Sequence, residues 1–400
     1  MSGTEATESL VGRTVELEIG PIAHGGHCVA RWDGRAVFVR HTLPGERVVA
    51  RITEGVEPAR YLRADAVSVV RPAPQRVPAP CQYAHPGGCG GCDFQHVAPQ
   101  AQRELLAAVV REQLSRLAGV DYDVVVEPVD DGDGLGWRTR VSYAVDAEGR
   151  PGLRRHRSHE VVPIERCLIA HPDLPAVHGR ALAAVSSVQA VCSGVGDTAV
   201  IADGRVVAGR TRLRERVHGR EFRSSSGGFW QVHPRAAEVL VDTVLRYAEV
   251  CPGDTVCDLY AGSGLFSAFL GAAVGRQGHV IAVESDSRAV KDARRNLHDL
   301  PQVQIRHAPV AAVLGERTLS EAPDVVVLDP PRTGARARVV RGVAALRPSR
   351  VVYVACDPAA LARDVAIFAE LGYGLSQLRA FALFPMTHHV ECVALLEPMS

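Results

Sequence analysis

Lysine is almost missing from this chain: Lys291 is the only one, and the other positive charges are arginines. The 45 basic residues are matched by 45 acidic ones, so the formal net charge is zero. There is thus no global excess of positive charge of the kind that drives non-specific nucleic-acid binding, and a nucleic-acid partner would have to be met by local patches. Long apolar runs are missing too. None approaches the length of a membrane span, and the first ten residues, MSGTEATESL, are polar and acidic without the apolar centre of a secretory signal. The expectation is a cytoplasmic protein with no membrane partner. Internal repeats and long low-complexity tracts are also lacking.

What is present describes an ordered protein, with 46% hydrophobic and 22% charged residues. Its 400 residues exceed one ordinary core and predict two or three domains. Ten cysteines without a secretory signal argue against a disulfide scaffold and for metal or catalytic roles. Three of them crowd into CQYAHPGGCGGC, as Cys81, Cys89 and Cys92, where glycines let the backbone wrap sulfurs around one centre. Cys167 stands apart in PIERCLIAH. Arginine is concentrated in GRTRLRERVHGREFR, with Arg210, Arg212, Arg214, Arg216, Arg220 and Arg223, and in RPGLRRHRSH, with Arg150, Arg154, Arg155 and Arg157. These runs read either as phosphate-facing stripes or as solvated strand faces.

Four segments follow from the patterning. Residues 8–70 read as a small β-barrel of short alternating strands, broken by the tight turn Asp33-Gly34, of the oligonucleotide-binding type. Residues 71–95 and 121–225 read as a mostly β central domain holding the cysteine loop and both arginine runs. Residues 96–120 form a helix with Leu106, Val110, Leu114 and Leu117 on one stripe, expected to pack on the last domain. From 226 to 400 strands alternate with helices, which predicts a doubly wound α/β domain.

In such a domain the ends of parallel strands carry the chemistry. VCDLYAGSG joins a strand to a helix through Gly262 and Gly264, and the next strand ends at Glu284, placed to accept ribose hydroxyls. A dinucleotide site is the alternative, but the third glycine of its fingerprint is Ser267 here. With DPPR two strands later, the pattern favours S-adenosylmethionine. Asp329 ends one apolar run in VVVLDPPRTGA, Cys356 ends another in VVYVACDPAALARD, and Glu391 lies in FPMTHHVECVALL. Alone, each has an ordinary reading: a turn cap, a small buried thiol and a strand-edge ion pair. Together they offer a nucleophile and two carboxylates.

FWQVHP, DLYAGSG, DPPRTGA, YVACDPAALARD and FPMTHHVE, in that order, resemble the RNA 5-methyluridine methyltransferase family, of the kind with an N-terminal TRAM barrel and an iron-sulfur cluster. The resemblance covers nearly the whole chain beyond residue 10. It implies a Rossmann-like S-adenosylmethionine-dependent methyltransferase domain, preceded by the OB-like TRAM barrel and the β domain. It further implies Cys356 as nucleophile, Glu391 as base, and Gln231, Tyr260, Gly262, Glu284 and Asp329 as the cofactor pocket. Cys81, Cys89, Cys92 and Cys167 would hold a 4Fe-4S cluster, with zinc as the alternative for four thiolates. The sequence departs from the family at three points: seven residues separate Cys81 from Cys89 where five are common, Ala261 replaces a common cysteine, and Asp357 replaces the usual asparagine.

The implied reaction is methylation of carbon 5 of a uridine in tRNA or 23S rRNA through a covalent cysteine adduct, by a monomer with no obligate protein partner. Two other readings stand beside it. One is an amino-methylating enzyme, which would need no nucleophilic cysteine. The other is an RNA-binding or folding factor with a vestigial centre.

Overall fold

The computed structural model describes residues 8–57, 59–177, 185–315 and 322–399. The polar N-terminal stretch up to residue 7, and the parts of the predicted domains at 58, 178–184, 316–321 and 400, lie outside the described residues. The N-terminal module is a six-stranded sheet of β1 (Thr14–Glu18), β2 (Ile22–Ala23), β3 (His27–Trp32), β4 (Arg35–Arg40), β5 (Arg47–Glu54) and β6 (Tyr61–Arg71), in the order β1-β5-β6-β4-β3-β2. Period-two alternation sends Val37, Val39, Val48, Ala50 and Ile52 into its core. Asp33 and Gly34 both take positive φ, 47° and 75°, which suits the hairpin between β3 and β4. Fully buried Glu46 accepts two 2.6 Å hydrogen bonds from Arg76 and two more from Leu43 N and Ala73 N. Burial alone would push this carboxyl up, but those four donors hold it below its usual value. They fasten the barrel to the proline-rich segment that leads to the cysteine loop.

Helix α1 (Pro99–Gln113) ends in a π-helical turn, Leu114–Ala118, closed by Gly119 in the left-handed region. A short strand, β7 (Val126–Glu127), follows. The central sheet is antiparallel, in the order β10-β9-β8-β11-β12-β13, built from β8 (Arg140–Val145), β9 (Pro151–Arg154), β10 (Val161–Pro163), β11 (Ser187–Cys192), β12 (Thr198–Ala202) and β13 (Arg205–Gly209). A separate hairpin, β14 (Arg212–Val217) with β15 (Arg220–Ser225), comes next.

The last domain runs α2 (Ala236–Ala248), β16 (Thr255–Leu259), α3 (Leu265–Val274), β17 (His279–Glu284), α4 (Ser287–Asn296), β18 (Val303–His307) and α5 (Val310–Gly315). It continues as β19 (Val325–Leu328), α6 (Arg336–Ala345), β20 (Arg350–Ala355), α7 (Pro358–Glu370), β21 (Tyr373–Phe381) and β22 (Glu391–Pro398). Its eight-stranded sheet has the order β18-β17-β16-β19-β20-β22-β21-β7. Strands β16 to β20 are parallel, and β22 is antiparallel to both neighbours. The order in which the strands are laid down reverses between β16 and β19. That reversal opens a crevice at the strands' C-terminal ends.

One predicted boundary needs correction, and a second element is shared between domains. Val126 and Glu127 pair with Ala380 and Phe381 at the edge of the last sheet, so this part of 121–225 is not central-domain structure. The β14–β15 hairpin bridges two domains: Val217 and Phe222 are buried with Leu240 and Leu270 and Arg220 pairs with Asp299 of the last domain, while Leu213 is buried with Val191, Ala199 and Ile201 of the central sheet and Arg214 donates to Asp197. Its alternation would serve either domain. Fully buried Phe222 faces the last domain and equally buried Leu213 faces the central sheet, so the hairpin serves both. Helix α1 and its π-turn lie against α7. No helix among the described residues is long and apolar enough to cross a membrane.

Candidate active site

Register brings the nucleophile candidate and the base candidate together. Ala355 pairs with Cys392 across β20 and β22, so Cys356, one step beyond its strand, meets Glu391, the first residue of the other. Asp329 follows β19 directly and donates its backbone N–H to Leu259 O at 3.2 Å, which ties it to the end of β16. All seven predicted catalytic and cofactor residues, Gln231, Tyr260, Gly262, Glu284, Asp329, Cys356 and Glu391, line one cavity of about 830 Å³. That volume lies within the ordinary range of small-molecule sites.

The cavity's floor is crowded with acids. Burial pushes the Cys356 thiol up to about 12, with the Glu391 and Asp329 carboxyls adding to the rise and Arg332 opposing it. Burial pushes Asp329 up to about 7, with Asp258 adding to it, and raises Glu391 well above the carboxylate range beside Asp329. Burial and the neighbouring Asp329 carboxyl both favour the neutral form of Glu391, and the three acids oppose one another's ionisation in one partly dry pocket. Arg332 is the cation that draws both Cys356 and Glu391 towards ionisation. Within the DPPR motif nothing local marks Arg332 for this electrostatic role.

The two glycines of the loop do different work. Gly262, at φ 56°, has open space where a Cβ would stand. Gly264 instead packs against Leu297, where a Cβ would come within 2.8 Å, so its need is helix packing rather than ligand approach. Glu284 accepts from Gly262 N through Oε2 and from Ser285 N and Asp286 N through Oε1. Its orientation is therefore fixed by backbone amides, with lone-pair capacity left on Oε2 for a ligand hydroxyl. Trp137, Arg138, Phe229, Trp230, Phe384 and His389 also face the cavity. Two lie in the FWQVHP motif and two in the segment ending FPMTHHVE, whereas Trp137 and Arg138 carried no sequence signal.

Beside Cys356, Asp357 caps α7 by accepting from Ala360 N at 2.7 Å and pairs with His24 Nε2 of the barrel at 3.0 Å. His24 was not singled out by the sequence. Asp357, the departure from asparagine, thus links the barrel to the helix that follows Cys356.

Cys81, Cys89, Cys92 and Cys167 line a second cavity of about 350 Å³. Among the described residues no group of three or more His, Cys, Asp or Glu stands in metal-holding geometry. The donor chemistry nonetheless fits a thiolate-bound group. Gly91 N points at Cys89 Sγ (3.4 Å) and Gln95 Nε2 at Cys92 Sγ (3.5 Å), while Arg138, Arg154, Arg155 and Arg166 line the same walls and could offset thiolate charge. Burial pushes Cys89 up to about 11 and Cys92 to about 12, and neighbouring thiols add to both. The arginine run on β14–β15 is less available than expected. Arg210 and Arg214 pair with Asp197, Arg212 with Asp292, Arg220 with Asp299 and Arg223 with Glu221.

Comparison with known proteins agrees with this architecture. Residues 8–67 match the TRAM domain model, and residues 218–372 match the model described as conserved hypothetical protein 95. The crystal structure of Pyrococcus abyssi tRNA (uracil-54, C5)-methyltransferase, in complex with S-adenosyl-L-homocysteine, superposes with a TM-score of 0.70. It is 23% identical and the match covers 95% of this chain and 99% of that one. The fold is thus the mixed α/β, Rossmann-like methyltransferase fold with an N-terminal TRAM region. An uncharacterized RNA methyltransferase of Streptomyces avermitilis is 49% identical over 97% of this chain and 99% of its own length. One from Bifidobacterium longum is 38% identical over 95% and 96%, respectively. The chain belongs to this RNA methyltransferase family.

Proposed function

We propose that this protein transfers a methyl group from S-adenosylmethionine to carbon 5 of a uridine in tRNA or ribosomal RNA. The observation that carries the reading is the meeting of Cys356, Glu391 and Asp329 on the wall of the cavity that also holds Gly262 and Glu284. S-adenosylmethionine, when bound, supplies the electrophilic methyl group; Gln231, Tyr260, Gly262, Glu284 and Asp329 would hold it. Carbon 5 of uracil is too poor a nucleophile to take that methyl unaided. Attack of the Cys356 thiolate on carbon 6 makes an enolate whose carbon 5 is electron-rich. After methylation, carbon 5 bears one proton too many. Glu391 takes it, and the electrons of that C–H bond expel the thiolate and restore the ring's double bond. Burial, which raises Glu391, makes its carboxylate a stronger proton acceptor.

Both faces of the ring are used, so the base must leave its stack to enter the pocket. The barrel and central domain, with the arginines around the cysteine cavity, would grip the flanking RNA. We assign Cys81, Cys89, Cys92 and Cys167 to a 4Fe-4S cluster that fixes loop geometry. Iron and sulfide in equal amounts with visible absorption would support this, and stoichiometric zinc in anaerobically purified protein would overturn it. For the reaction itself, RNA from cells lacking the protein should miss a 5-methyluridine that the wild-type protein restores and the Cys356→Ala variant does not. Restoration by Cys356→Ala would favour the amino-methylating reading instead.

A further inference from the structure

One carboxylate sits where the three parts of the molecule meet. Asp93 directly follows Cys92 and is 7% exposed. Its Oδ2 accepts from the backbone N–H of His388 at 3.1 Å and lies 2.6 Å from the ring Nδ1 of the same residue. Its Oδ1 faces Arg40 of the barrel at 3.6 Å. The backbone adds two bonds, since Asp93 N and Phe94 N both donate to Met386 O, at 2.9 and 3.0 Å. Gly26 of the barrel closes the junction. A Cβ there would lie 2.7 Å from His388 Cβ and 3.0 Å from Asp93 Cβ, so only glycine fits.

The gripped loop leads straight to the chemistry. The His388 and His389 rings touch at a tilt of 42° with centroids 4.1 Å apart, His389 lines the catalytic cavity, and Glu391 is two residues further on. We propose that Asp93 is a positioning residue that locks the Met386–His389 loop, and with it Glu391, to the cysteine-bearing segment, so that filling the cysteine cavity is felt at the catalytic pocket. The inference rests on the reading of Cys356 and Glu391 as the catalytic pair. It adds a link that neither the nucleophile nor the cysteines provide alone. A buried carboxylate with two cationic or donor partners resists being moved singly, because displacing it leaves each partner uncompensated. A shift of Cys92 is therefore passed on to His388.

The test compares hydrogen exchange of the peptide 384–391 in metal-loaded protein and in the same protein after anaerobic chelation. It is run for wild type, Asp93→Ala and Asp93→Asn. In wild type, removing the metal should speed exchange of this peptide. In Asp93→Ala exchange should already be fast, with little further change on chelation. Asp93→Asn keeps an acceptor for His388 N–H and should recover most of the protection, which also decides the matter if the alanine variant does not fold. With RNA substrate, Asp93→Ala should lower kcat by about 100-fold, the cost of misplacing a catalytic group by roughly an ångström, while KM for S-adenosylmethionine and metal content stay at wild-type values. Wild-type protection in Asp93→Ala, or equal acceleration by chelation in both proteins, would overturn the proposal. Exchange needs no substrate, so a wild-type protein that makes no 5-methyluridine would defeat the functional reading and leave this comparison valid.

Discussion

Placing a cation in the cofactor pocket should make Cys356 more acidic, and the size of the effect follows from the thiol's surroundings. In the free protein, burial and then the two carboxyls push it up to about 12. At pH 8 such a thiol is ionised in about one molecule in ten thousand, too few for an efficient nucleophile. A positive charge within about 4–6 Å moves an acid down by roughly 1–3 units, so a cationic ligand should raise the thiolate population about ten- to thousand-fold. Two ligands of nearly equal size separate charge from shielding: S-adenosylhomocysteine, a neutral thioether at that position, and an analogue carrying an ammonium in place of the sulfonium. The assay is the rate of alkylation of the Cys356 peptide by iodoacetamide, followed by mass spectrometry across neutral to alkaline pH. Below its pKa the thiol's rate rises with pH in proportion to thiolate, so a lowered pKa appears as faster labelling at every such pH. Faster labelling with the cationic analogue, and slower labelling in unliganded Arg332→Met, are expected. Equal rates with the two ligands would refute the reasoning.

Asp357→Ala removes the α7 cap, worth about 1 kcal/mol, and the partly exposed pair with His24, worth about 0.5 kcal/mol; Asp357→Asn should lose only the second, and equal melting of the two variants would contradict this. Asp329, raised to about 7 in the folded protein, contributes stability that is complete below the unfolded value near pH 4 and lost as pH rises through about 7. Asp329→Asn should therefore flatten the fall in melting temperature over that window, and an unchanged slope would count against the assignment. Phe222→Ala empties a fully buried site between the β14–β15 hairpin and the last domain. It should cost about 3–5 kcal/mol, and a loss confined to the central domain in hydrogen exchange would show the hairpin to be misplaced.

The candidate site residues were legible because each stands where an apolar run stops. Asp329, Cys356 and Glu284 sit at the ends of strands whose buried runs are unbroken, and in a parallel sheet those ends share one crevice. The approach of Glu391 to Cys356 was not legible locally, since it depends on the antiparallel register of β20 and β22. The same limit explains the arginines. Their spacing on β14 and β15 was plain, but Asp197, Asp292 and Asp299, which pair with four of them, lie elsewhere in the chain. A two-residue strand such as β7 offers no periodicity to read, and the β14–β15 hairpin alternates equally well for either domain. The links from the barrel, His24 to Asp357 and Arg40 to Asp93, join residues more than fifty positions apart and leave no sequence pattern.

The central claim is a covalent bond between Cys356 and an RNA uracil that Glu391 is needed to resolve. Glu391→Gln protein, incubated with S-adenosylmethionine and RNA from cells lacking the protein, should accumulate a denaturation-resistant protein–RNA species. Digestion and mass spectrometry should place it on Cys356, bearing a methylated uracil, and it should be missing with Cys356→Ala. If Glu391→Gln binds cofactor and RNA normally yet forms no such species, or if Cys356→Ala still methylates carbon 5, the account is contradicted.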